Sequence, residues 1–283
     1  MRCLYREHIH ICGNYTDVEI YPVFRKGGNS RRRRAKPTSE IQARLNQKNA
    51  EKKLMRLLHT NFNGNDYELH LTYSDANLPE SEEEALADIQ KFLRRMRTIY
   101  KAAGIDLKYI RVTEGETGKK RFHHHVTLSG GIDRDTIEQA WEHGYANCRR
   151  LQFAENGIEG LAMYITKESR GTERAQGARR FSCSKNLDKP KEIERDGRLS
   201  QKKVKEIVEG ECSSAVVAPL YEGWCLAQGE SLLNPVNGGF YISLRLYRPE
   251  LMRNGELRGS GKKRRKRKDD LKIDKETGEV MNL

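Results

Sequence analysis

The sequence predicts an α+β fold: a split βαβ arrangement with an antiparallel central sheet, helices mainly on one face, and additions at both ends of the chain. Three observations carry this reading. From Asp66 to Phe153 the patterns run strand-helix-strand-strand-helix-strand. The first helix of that series, Ser81 to Ala103, is amphipathic, with Leu86, Ile89, Phe92, Leu93, Met96 and Ile99 recurring at intervals of three and four. The third strand, Arg121-Phe122-His123-His124-His125-Val126-Thr127-Leu128, is apolar on either side of its histidines and stops at Gly130-Gly131.

The elements follow in order. His8-Ile9-His10-Ile11-Cys12 and Asp17 to Val23 alternate as two strands separated by the turn Gly13-Asn14. Gly27 to Ser30 and Arg31 to Arg34 form a basic loop. Thr38-Ser39-Glu40 caps a long polar helix that runs to about His59 with a thin stripe of Leu45, Ala50, Leu54, Leu57 and Leu58. Asp66 to Tyr73 is the first core strand, and Ser74 to Pro79 a polar turn. In the 81–103 helix, Glu82, Glu83 and Glu84 lead while Arg94, Arg95, Arg97 and Lys101 end, complementing the helix dipole. A strand over 108–113 leads to Glu114 and the hairpin loop Gly115 to Lys120. Beyond the histidine strand come a helix over 133–143, a strand from Cys148 to Phe153 and a helix over 158–169. Gly171 to Arg180 is a basic loop, and Lys189 to Lys205 is charged enough to mark a boundary or an extended surface arm. Residues 214–248 regain apolar character, ending in the alternating strand Phe240 to Tyr247. After Pro249 the composition is that of a disordered tail.

Composition narrows the function. Only 36% of the 283 residues are hydrophobic and 33% are charged, so the core is modest. No apolar run approaches the roughly 20 residues that cross a bilayer. Met1 to His8 carries charges where a signal peptide needs an apolar core, so a cytoplasmic protein with no membrane partner is expected. Six cysteines without a Cys-x-x-Cys pair argue against a zinc ribbon and a disulfide framework. The net charge is +13, and the runs Arg31–Arg34 with Lys36 and Lys262–Lys268 account for nearly all of it. Concentrated patches suit phosphate binding, which makes Arg31, Arg32, Arg33, Arg34, Lys262, Lys263, Arg264 and Arg265 DNA-binding candidates. Basic runs also occur as solvated tails. No Gly-x-x-x-x-Gly-Lys-[Ser/Thr] loop is present, so an appended helicase of the usual kind is not supported.

On a strand, His123 and His125 share a face and His124 points opposite. Two imidazoles about 6 to 7 Å apart along that face can converge on one divalent metal. Pairing with the preceding strand brings Glu114 close enough to add an oxygen ligand, leaving coordination positions open as a catalytic metal requires. In the helix over 158–169, Tyr164 and Lys167 lie one turn apart on one face. Taken singly, a histidine run also fits a solvated cluster and a helical tyrosine fits packing. Their order along a basic chain makes the combination specific.

That combination resembles the HUH endonucleases, and within them the single-tyrosine replication initiators of phages, plasmids and related mobile elements. Leu69 to Asp75 resembles the family's first motif and Ser184 to Leu187 a segment beyond its tyrosine helix; the slot between the ligand histidines, commonly hydrophobic, is His124 here. The resemblance covers roughly residues 67–190. It implies a catalytic domain over 67–190, preceded by strands, basic loop and helix (1–66) and followed by an accessory segment (191–250) and a basic tail (251–283). It further implies that Tyr164 attacks a phosphodiester in single-stranded origin DNA, leaving a 5′-phosphotyrosine and a free 3′-OH. Lys167 then assists, and His123, His125 and Glu114 hold Mg²⁺ or Mn²⁺, with His70 ranked below Glu114 as a third ligand. The implied role is rolling-circle initiation in a bacterial host, with host DNA polymerase and helicase as partners. A relaxase or single-strand transposase would share this chemistry, and a non-catalytic nucleic-acid-binding protein is the reading from another class. His8-x-His10, a second same-face pair, has no tyrosine helix at family spacing and reads as structural or surface.

Overall fold

A computed structural model describes residues 4–23, 40–116, 120–158, 161–162, 181–233, 238–250, 272–273 and 280–281. In chain order these form β1 (Leu4–Cys12), β2 (Tyr15–Val23), α1 (Glu40–Asn61), β3 (Tyr67–Thr72), α2 (Glu82–Ala102), β4 (Tyr109–Glu116), β5 (Lys120–Leu128), α3 (Arg134–Gln139), β6 (Ala146–Arg150) and β7 (Ser182–Cys183). Then come β8 (Lys191–Asp196), α4 (Gln201–Glu209), α5 (Ser214–Val217), β9 (Cys225–Leu233), β10 (Phe240–Tyr247), β11 (Lys272–Ile273) and β12 (Val280–Met281). The result is α+β with two five-stranded antiparallel sheets, and the chain divides into two compact units.

One unit comprises residues 61–152, 163–187 and 261–283. Its sheet runs β6-β3-β5-β4-β7, every pair antiparallel. Helix α2 carries the chain from β3 to β4 and skips one position, which β5 fills; that is the split βαβ connection. The Ser81 side chain accepts the Glu84 N–H at the N-terminus of α2, with Glu82 to Glu84 in the first turn and Lys101 in the last. The apolar stripe Ala85, Ile89, Phe92, Leu93, Met96 and Tyr100 packs on Tyr67, Leu69 and Leu71 of β3 and on Phe122, Val126 and Leu128 of β5. Burying each large side chain contributes about 1.5 to 3 kcal/mol. Ile137 and Trp141 join the same core, so α2 and α3 cover one face. The 133–143 helix ends sooner than the sequence predicts, at Gln139, with the Asp133 carboxylate accepting the Asp135 and Thr136 N–H groups at its start.

The other unit comprises residues 1–60, 153–162 and 188–260. Its sheet runs β8-β1-β2-β10-β9, also antiparallel throughout. The Gly13-Asn14 hairpin needs its glycine, because Gly13 sits at φ +62° and a Cβ there would meet the His59 carbonyl. One face of the sheet, with Tyr5, Ile9, Val18, Ile20, Ile242, Leu244 and Leu246, packs against Val204 and Ile207 of α4 and Val217. The opposite face is polar and meets α1 through Lys52–Glu19 (2.6 Å) and Arg56–Asp17 (3.1 Å). Segments from both ends of the chain therefore build one sheet. The charged stretch read as a boundary or surface arm contains β8 and α4. Edge strand β8 pairs through its backbone, so five charged residues in Lys-Glu-Ile-Glu-Arg-Asp concealed it.

Candidate functional site

Register places the histidines. In the β3–β5 pair, Leu71 lies opposite His124 and His70 opposite His125, so His124 shares the helix-covered face while His70, His123 and His125 take the other. His124 is fully buried, its Nε2 2.8 Å from the Tyr73 hydroxyl and its Nδ1 2.9 Å from Thr113 Oγ1. Burial pushes its pKa down to about 3. Both ring nitrogens are engaged, and it is a core residue.

On the opposite face, one ligand atom from each of His70, His123 and His125 lies within 4.8 Å of the others. The His70 and His125 rings stack at 4.7 Å between centroids, and His123 stands edge-on to both at 5.3 Å. Burial, then the neighbouring histidines, lower the pKa of His125 to about 4 and that of His70 below its ordinary value. Neutral imidazole is the form that ligates metal. His70 Nε2 is buried with no hydrogen-bond partner among the described residues, while the His123 Nδ1 lies 3.1 Å from the Arg121 carbonyl oxygen. A hydrogen bond at one nitrogen fixes the tautomer and aims the other, as metal-ligating histidines require.

Glu114 lies opposite His123 in the β4–β5 pair, its Oε2 3.6 Å from His123 Nε2 and 2.9 Å from Lys120 Nζ. Burial alone would raise its pKa; the contacts with His123 and Lys120 outweigh that and hold it at about 2. A β-bulge between Glu114 and Glu116 is centred on Gly115, at φ +139°, where a Cβ would run into Phe122. Only glycine allows that bend beside the site. Lys120, which sequence reading left in the hairpin loop, partners Glu114 because of this irregular register, which no spacing rule supplies. Arg149 was also missed. Its place opposite Glu68 in the β3–β6 pair puts it on the histidine face, exposed, with Nε 3.0 Å from Asn147 Oδ1.

Three imidazoles and a carboxylate gathered on one sheet face, one nitrogen buried and unpartnered among the described residues, fit a divalent metal ion. Among the predicted site residues, the structure brings His123, His125 and Glu114 together and adds His70. Tyr164, Lys167, Arg31 to Arg34 and Lys262 to Arg265 lie outside the described residues.

The site and its sheet define a metal-binding α+β module. Residues 66–169, which include β3 through β6, match the model of a family of replication-associated proteins of the ORF2 type. Over that segment the chain is similar to replication-associated proteins, and the match ties this module to DNA replication. Comparison with curated proteins and with solved structures gave no match. No helix among the described residues is long and apolar enough to cross a membrane.

Proposed function

We propose that the protein is a rolling-circle replication initiator of the HUH type, which nicks and rejoins single-stranded origin DNA through tyrosine. The observation that carries this reading is the His70, His123 and His125 cluster with Glu114 beside it, inside the segment that matches the replication-associated family. His123, His125 and Glu114, with His70 closing the set, would hold Mn²⁺ or Mg²⁺; the imidazole-rich donors favour Mn²⁺. When bound, the ion supplies charge that polarises a non-bridging phosphate oxygen.

The remaining chemistry belongs to side chains. The Tyr164 hydroxyl attacks the scissile phosphorus, an O–P bond to tyrosine forms, and the P–O3′ bond breaks. The phenolic proton is lost and the 3′ oxygen leaves as a hydroxyl, ready to prime a polymerase. Tyrosine ionises near pH 10, so at neutral pH the nucleophile needs a nearby positive charge, and Lys167 one turn away supplies it. Because the phosphotyrosine conserves the bond energy, a later 3′-OH can reverse the step and seal the strand. Arg31 to Arg34 and Lys262 to Arg265 add salt-sensitive, sequence-independent affinity. A bacterial cytoplasm, with host polymerase and helicase at hand, is the setting this role requires.

The test is a denaturing gel with labelled single-stranded origin DNA and wild-type or Tyr164→Phe protein, with Mn²⁺ or EDTA. The reading expects a Mn²⁺-dependent nick and a covalent adduct, both missing in the variant. Binding without cleavage by the wild type on a verified origin would sink it in favour of a non-catalytic DNA-binding module.

A further inference from the structure

The polar face of the other sheet carries a second histidine pair. On β1, Arg6, His8 and His10 share one face, and register sets them opposite Asp196, Glu194 and Glu192 of edge strand β8. Such a ladder is ordinarily a row of cross-strand ion pairs. Its first rung is one, with Arg6 Nε 2.7 Å and Nη2 2.9 Å from the two Asp196 oxygens.

The histidine rungs differ. His8 Nε2 stands 3.4 Å from Glu192 and 4.0 Å from Glu194, while His10 stands 3.7 Å from Glu192 through Nδ1 and 3.7 Å from Glu19 through Nε2. His10 is only 4% exposed, and among the described residues neither of its ring nitrogens has a hydrogen-bond partner; the buried Nε2 of His8 has none either. A neutral imidazole always carries one N–H, so this leaves a buried donor unmet, which ordinarily costs about 1 to 3 kcal/mol. Ligand atoms on one tetrahedral ion with bonds near 2.1 Å lie roughly 3.4 Å apart, the spacing seen here rather than that of a direct hydrogen bond. One ligand atom from each of His8, His10 and Glu19 lies within 4.8 Å of the others.

Glu19 is built for this. Its Oε1 takes Lys52 Nζ at 2.6 Å, Arg56 Nη2 at 3.2 Å and the Tyr241 hydroxyl at 2.7 Å, which leaves Oε2 turned toward His10. Burial would raise the Glu19 carboxyl, but His10, Lys52 and Arg56 hold it well below the usual carboxylate range. Partners that fix one oxygen and free the other are how outer residues orient a metal ligand.

We infer that His8, His10, Glu19 and Glu192 form a second divalent-metal site, of the Zn²⁺ or Co²⁺ class, that ties edge strand β8 to β1 and β2. Two imidazoles and two carboxylates make a closed tetrahedral set, so the site is structural and takes no part in DNA cleavage. It joins strands that lie far apart in sequence, and a metal bound only by the folded chain stabilises it.

The experiment is equilibrium dialysis of the full chain against Co²⁺, with the d–d spectrum recorded and Zn²⁺ added in competition. Wild type should bind two ions and the His123→Ala/His125→Ala variant one. Adding His8→Ala and His10→Ala should remove that last ion and its spectrum. Glu192→Gln alters an exposed edge side chain, leaves circular dichroism unchanged and should weaken this site by roughly 10-fold or more, which keeps the test decisive if the alanine variant fails to fold. Folded His123→Ala/His125→Ala protein that binds no Co²⁺, or Glu192→Gln and His8→Ala/His10→Ala proteins that bind like their parents, would overturn the inference. The cluster would then be an imidazolium–carboxylate ladder only.

Discussion

Each sheet of this protein carries a His-x-His pair on one strand face, and the cross-strand neighbours set the two apart. His123 and His125 face a third imidazole, His70, with one carboxylate at the margin. His8 and His10 face carboxylates, Glu19, Glu192 and Glu194, in a network that Lys52, Arg56 and Arg245 neutralise. Nitrogen-rich sites with one carboxylate leave room for a substrate oxygen; sites with several carboxylates and nearby cations lock strands together. Spacing along one strand is the same in both, so chemistry follows from register.

The largest effect expected is on the locked side. Asp17 is buried between Arg56 (3.1 Å) and Arg245 (3.0 Å); burial favours its neutral form, but the two arginines hold its pKa below the ordinary value. Removing one partner of such a network leaves charge uncompensated, so Asp17→Ala should cost about 3 to 5 kcal/mol. The two tryptophans, Trp141 and Trp224, fall one in each unit, so Trp141→Phe isolates a reporter for the affected one. A urea midpoint unmoved by Asp17→Ala would break the comparison.

On the other side the cost is to activity. His125→Ala should cut Mn²⁺-dependent nicking by more than the roughly 10- to 100-fold that an outer-shell loss causes. His8→Ala should leave nicking of the folded fraction within about two-fold, since the second site is structural. Equal losses in a single-turnover assay would mean the two pairs serve one chemistry.

Acid should act on both units through histidines that are not ligands. Burial, outweighing the nearby Asp17, lowers the pKa of His59 to about 3, and its Nε2 accepts the Ile158 N–H at 3.2 Å. The unfolded imidazole titrates near 6.5, so between about 6.5 and 3 the unfolded chain binds the extra proton. The stabilising contribution is therefore full above about pH 6.5 and is lost as pH falls, by about 1.4 kcal/mol per unit, or roughly 2 kcal/mol by pH 5. His124 has the same direction, but its partners are hydroxyls that can turn and accept. His59→Gln should flatten the pH dependence of the Trp224-reported transition between pH 7 and 5; an unchanged slope would remove His59 from the account.

What the sequence disclosed follows the same division. Helix α2 and strand β5 are legible because each buries one apolar face with a clean period. The His123/His125 pairing is legible for the same reason, since a strand alternates by two. Strand β8 is not, because an edge strand is held by backbone pairing and its side chains face charge. The union of β1 and β2 with β9 and β10 is not legible either, because antiparallel partners so far apart leave no local pattern. Glu114 was within reach through the hairpin, whereas its partner Lys120 depends on a bulge at Gly115.

The smallest effect sharpens the comparison at the level of single cations. Arg56 and Arg245 are engaged by Asp17 and Glu19, so they support the fold and have little charge to offer a phosphate. Arg149 lies on the face that holds His70, exposed, and no described carboxylate pairs with it within 4 Å; its Nε donates to Asn147. A cation so placed can meet the DNA backbone beside the scissile phosphate. Arg149→Ala should weaken single-stranded DNA binding a few-fold irrespective of sequence and lower the slope of log K against log salt by about 0.7. Stability should be unchanged, since a surface cation contributes about 0 to 1 kcal/mol at most. Fluorescence anisotropy across a salt series reads both numbers. A slope equal to wild type would mean that the phosphates approach the histidines by another side of the sheet.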